Sequence, residues 1–84
     1  MAETAYVLIN CGLGKEKGII REMREKFPDN VKEIMEVYGV YDIIAKLYGQ
    51  GPEDLNKVLN GMKEIKKIDK RITVMVNDTY KKSD

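Results

Sequence analysis

The chain has 84 residues, 43% hydrophobic and 35% charged, with a formal net charge of +1, a single cysteine and no histidine. This balance supplies no electrostatic footprint for a nucleic acid or an anionic membrane surface. One cysteine excludes an internal disulfide, and the lack of histidine excludes Cys/His zinc sites and histidine-based catalytic triads.

The length fits one domain over residues 1–84, which buries only about 60 to 65% of its unfolded surface, so pairing with a second copy would help it. No apolar run is long enough to span a membrane. Met1-Ala2-Glu3-Thr4 lacks the basic start and apolar core of a signal peptide, so the expected location is the cytoplasm.

Thr4 to Asn10 is dense in β-branched and aromatic residues, with Tyr6 and Leu8 on one alternating face and Val7 and Ile9 on the other. Both faces are apolar, which predicts a central strand. Cys11 to Gly18 then reads as a turn opening a helix, in which Ile19, Ile20, Met23 and Phe27 fall at helical spacing. Pro28 disfavours helical geometry in Phe27 and ends it.

Asp29-Asn30 turns into a strand over Val31 to Tyr38, where Val31, Met35 and Val37 alternate with Lys32, Glu36 and Tyr38, as at a half-exposed edge. Gly39 can take the positive φ of a tight turn, so Val37 to Asp42 reads as the centre of a hairpin. Beyond it, Tyr41, Ile43, Ala45 and Leu47 make an apolar face suited to helices, leaving Ile44 and Tyr48, with Met35 and Val37, on the other.

Gly49-Gln50-Gly51-Pro52-Glu53-Asp54 is a helix start, with proline and two acids in the first turn. Leu55, Val58, Leu59, Met62 and Ile65 form its apolar stripe, Gly61 weakens it slightly, and Lys63, Lys66 and Lys67 stand near its C-terminal end. Arg71 to Asn77 is the last strand, and residues 78–84 are a polar tail. Two βαβ units joined by the hairpin predict an α+β, ferredoxin-like βαββαβ antiparallel sheet with both helices on one face. The uncovered face is apolar enough to pack against its own copy.

Gly12-Leu13-Gly14 followed by Gly18 superficially suggests a dinucleotide motif, but a chain with one hairpin and so few residues cannot build the parallel sheet such a fold requires. Cys11 reads as a small filler. No carboxylate pair has spacing for acid/base work, so no catalytic residue, metal site or cofactor is expected. Asp42 admits two accounts. Its carboxylate accepts bonds from N–H groups of the turn, which spacing favours, or it faces the ammonium of a small zwitterion whose carboxylate is held by turn amides.

Tyr38-Gly39-Val40-Tyr41-Asp42-Ile43-Ile44 resembles the Gly-x-Tyr-Asp hairpin of the effector-binding (RAM) domain of Lrp/AsnC transcription regulators. The resemblance continues through Ala5-Tyr6-Val7-Leu8-Ile9, Gly14-Lys15-Glu16, Val31 with Glu36-Val37, Leu55, and Ile68 through Thr73-Val74-Met75-Val76. It implies a non-enzymatic domain that forms a dimeric α/β barrel, assembles as a dimer or ring of dimers, and binds free amino acids or related molecules between dimers. Gly39, Val40, Tyr41, Asp42 and Thr73 are the ligand-binding positions it implies. The position of Val40 is often acidic in that family.

No helix-turn-helix precedes the first strand, so direct DNA binding is not expected, and action on transcription would go through full-length Lrp/AsnC relatives. The rival readings are a small dimeric α/β-barrel enzyme of the monooxygenase or isomerase type, and a purely structural oligomer.

Overall fold

The β-branched run near the N-terminus forms the centre of a four-stranded sheet in the computed structural model, which describes residues 2–80. The elements are β1 (Glu3–Cys11), α1 (Glu16–Lys26), β2 (Val31–Glu36), β3 (Ile43–Gly49), α2 (Pro52–Gly61) with a 3₁₀ turn at Met62–Glu64, and β4 (Ile68–Met75). The strand order is β2-β3-β1-β4, with every neighbouring pair antiparallel. This is the ferredoxin-like arrangement predicted above, with β2 and β4 at the edges.

Alternation along β1 and β3 sends Ala5, Val7, Ile9, Ile43, Ala45 and Leu47 to one face, where all are buried. They meet Ile19 and Met23 of α1 and Leu55 and Val58 of α2, together with Met62 and Ile65. Full burial of such side chains contributes about 1.5–3 kcal/mol each before chain entropy is charged, so this cluster holds the fold. Gly61 has a packing reason: ring carbons of Phe27 lie 2.9 Å from where its Cβ would stand.

Four details differ from the sequence expectation. The segment at Gly39 is a longer loop, because β2 ends at Glu36 and β3 begins at Ile43, so Tyr41 precedes the strand. Helix α2 stops at Gly61, so Ile65 is buried from outside the helix, and no basic residue stands in the helix's last turn. The last strand begins at Ile68 and ends at Met75, earlier than Arg71 to Asn77. In β2 the pairing slips: Val31 is opposite Leu47 but Glu33 is opposite Lys46, a bulge that puts Val31 and Met35 on opposite faces.

The open face is built in rows set by the register. Met35, Ile44, Leu8 and Ile72 form one apolar row across all four strands, and Glu33, Lys46, Tyr6 and Val74 form the next. Ile72 and Val74 remain about half exposed. Among the described residues no helix is long and apolar enough to cross a membrane. Asp78 to Tyr80 have no regular structure, and residues 81–84 of the expected tail lie outside the described residues.

Candidate functional site

Antiparallel pairing of Ile9 with Ile43 brings the end of β1 against the loop that precedes β3. The next residues of β1, Asn10 and Cys11, hold that loop. Asn10 Nδ2 donates to the Val40 carbonyl at 2.8 Å, and the Cys11 N–H donates to Asp42 Oδ2 at 2.9 Å. Two backbone bonds complete the frame: Val37 N–H to the Asp42 carbonyl at 2.8 Å, and Asp42 N–H to the Ile9 carbonyl at 2.9 Å.

Residues 38–41 therefore form a short arch with both feet fixed. Gly39 supplies the φ of +127° at its top, a conformation L side chains rarely adopt. Tyr38 and Val40 project into solvent, 99% and 81% exposed. Among the described residues, the N–H groups of Tyr38, Gly39, Val40 and Tyr41 have no backbone or side-chain partner. Consecutive unpaired amides are a ready-made set of donors for an anionic group.

Asp42 does accept a backbone N–H, but from Cys11 of a neighbouring strand and not from the turn amides expected from its spacing. Its second oxygen, Oδ1, has no bond to the chain among the described residues. The structure thus gathers Gly39, Val40, Tyr41 and Asp42 with Asn10 and Cys11, the last two not anticipated as site residues. Thr73 stands apart within one chain: it lies exposed on edge strand β4, opposite Val7 and across β1 from the loop.

Burial pushes the Cys11 thiol above its ordinary range; the carboxylates of Glu16, Asp42 and Asp69 add to this and Lys15 opposes it. A thiol so placed is protonated at neutral pH, which fits a packing role against the core. Among the described residues no three acidic or sulfur-bearing side chains cluster as metal ligands. The arrangement offers amide donors and one carboxylate, a set suited to holding a small polar molecule.

No protein-family model matches the chain. Over 46 residues it is 35% identical to the homocitrate synthase of Sulfurisphaera tokodaii; the match spans 55% of this chain but only 10% of that enzyme. Among solved structures, FFRP-DM1 superposes with a TM-score of 0.78 at 27% identity, covering 88% of this chain and 97% of that one. A Pyrococcus horikoshii protein superposes with a TM-score of 0.80 at 26% identity, over 95% of this chain and 94% of its own. Escherichia coli AsnC gives a TM-score of 0.80 at 18% identity, over 98% of this chain but 55% of its own, so the chain spans about half of that regulator. The likeness read from the hairpin residues holds in three dimensions: this chain has the fold of the effector-binding (RAM) domain, and regulators of the Lrp/AsnC family are among its structural neighbours.

Proposed function

We propose that this chain is a non-enzymatic sensing and assembly module. It binds a free amino acid or related small molecule at the Gly39–Asp42 arch, associates as a dimer or ring of dimers, and modulates Lrp/AsnC-type regulators. The observation that carries the reading is the run of unpaired amides from Tyr38 to Tyr41 beside a carboxylate with one free oxygen. The amides suit a ligand carboxylate and Asp42 suits its ammonium, so both poles of a zwitterion have a partner. Thr73 joins the site from a neighbouring copy, since it lies away from the arch of its own chain.

The relatives support this division of labour. A match limited to 10% of homocitrate synthase is too small to hold that enzyme's catalytic machinery, and similar folds occur among transcription regulators. A 46-residue stretch similar to part of an enzyme, together with a fold shared with regulators, suits a sensor better than a catalyst or a DNA reader. The open face supports self-association, because the Met35, Ile44, Leu8 and Ile72 row is apolar across the whole sheet.

Thermal melting against the twenty amino acids tests the site. A ligand at about a hundred times its dissociation constant stabilises the folded state by roughly 2.7 kcal/mol. Asp42→Asn keeps an oxygen for the Cys11 amide while removing the charge, so it should abolish that shift with little change in the free protein's Tm. No shift and no mass change with any amino acid would overturn the effector reading. Light scattering tests the assembly: Ile44→Lys should lower the mass, because burying an unpaired ammonium is costly, whereas a monomeric wild type at micromolar concentration overturns self-association.

A further inference from the structure

Among the described residues, Nη1 of Arg71 is the only buried side-chain nitrogen or oxygen without a hydrogen-bond partner. Arg71 lies on β4 opposite Ile9, and Thr73 lies opposite Val7, so both stand on the helix side of the sheet, where Ile9 and Val7 are buried. The residue as a whole is partly exposed. Asp69, on the same strand, makes no ion pair with it; among the described residues the sole ion pair is Lys26 with Glu22. A guanidinium stays charged at any ordinary pH, and a buried N–H of that fork costs stability until it meets an acceptor.

Arg71 points to the opposite side of β4 from Ile72 and Val74, which belong to the open face. Packing of open faces between two copies therefore does not cover it. Alternate residues of a strand stand about 7 Å apart on one face, within reach of an arginine side chain. A group that meets the Thr73 hydroxyl thus comes within reach of the guanidinium.

We propose that Arg71 is a ligand-binding residue of the site formed by the arch of one copy and β4 of the next, and that it selects an amino acid with a second carboxylate. This rests on the reading above, in which Thr73 joins the arch from a neighbouring copy. The charges then match group for group. The amides of residues 38–41 take the α-carboxylate, Asp42 takes the ammonium, and Arg71 with Thr73 takes the side-chain carboxylate. A side-chain amide of the same shape offers the fork only a neutral oxygen and a weaker bond, and a basic side chain is repelled.

The test is thermal melting of the intact chain, at a concentration where light scattering shows the assembly, with L-aspartate, L-glutamate, L-asparagine, L-glutamine and L-lysine. At least one acidic amino acid should raise the wild-type Tm by a few degrees, and its amide counterpart should need about tenfold more ligand for the same rise. Arg71→Met should bring the acid and its amide level without changing the mass of the assembly, whereas Asp42→Asn should lose the response to both. Neutral or basic amino acids acting as well as acidic ones on the wild type, or an acid preference undiminished in Arg71→Met, would overturn the proposal and leave the effector reading standing. No amino acid acting at all would overturn both. The Tm of Arg71→Met without ligand verifies that it folds; if it does not, the comparison of acid with amide on the wild type decides alone.

Discussion

Strand β3 is pinned at both ends by an asparagine and an aspartate, and the two pins teach different things. At its start, Asn10 donates to the Val40 carbonyl and Asp42 accepts the Cys11 amide. At its end, Asn30 donates to the Tyr48 carbonyl at 2.9 Å and to Asp54 at 3.3 Å, and Asp54 accepts the Gln50 amide at 2.9 Å. The chemistry is the same, but the reach is not. Cys11 and Asp42 are 31 residues apart, whereas Gln50 and Asp54 are four apart. The first pin fastens one strand's end to a distant loop; the second closes the turn into α2 and leans on the residue before β2.

This difference sets an order of effects. Asp42→Ala should be the most damaging, since it removes a charged acceptor from a part-buried amide and frees the arch: a loss of about 1.5–3 kcal/mol by urea unfolding. Asp54→Ala removes a helix-start acceptor at an exposed amide and should cost about 1 kcal/mol. Equal losses would mean that the long-range pin adds nothing beyond a local cap.

Amide hydrogen exchange sharpens the contrast without relying on global stability. Asp42→Ala should speed exchange at Cys11 while leaving Gln50 unchanged, and Asp54→Ala should do the reverse. Accelerated exchange at both amides in either variant would show that the ends of β3 open together.

The smallest effect concerns the thiol. Because the Cys11 pKa is raised, its thiolate fraction at neutral pH is small, and alkylation should be slow and climb only toward alkaline pH. Asp42→Asn removes one of the carboxylates that raise it, so the pKa falls and alkylation at a fixed neutral pH should quicken modestly. An unchanged rate would show that burial alone governs the thiol.

The same contrast explains what could be read from the chain. Gly49 to Asp54 announced a helix start because its signals are local: proline, acids and a flexible turn within six residues. The element order was equally legible, because the apolar periods of β1, α1, β3 and α2 lie within each segment. Asn10 and Cys11 were missed because their partners are chosen by the register between β1 and β3, which no short window contains. A signal did exist: once Ile9 faces Ile43, the two residues after Ile9 must run alongside the residues before Ile43. The ends of α2 and β4 were misjudged for a related reason, since Ile65 is buried by the core from outside any helix and so mimics a helical position.

The bulge at Lys32 behaves as a parity switch. With one residue too many between Val31 and Glu33, odd and even positions exchange sides part-way along β2, so Val31 and then Ile34 face the helices while Met35 joins the open row. Deleting Lys32 would leave every partner downstream unchanged and give a regular ladder, at the loss of its cation–π contact with the Tyr48 ring 4.9 Å away. Deleting a residue further along would turn the strand inside out from that point. The extra lysine in this six-residue edge strand is thus what sets Val31 against the core while Met35, four positions on, reaches the outer face.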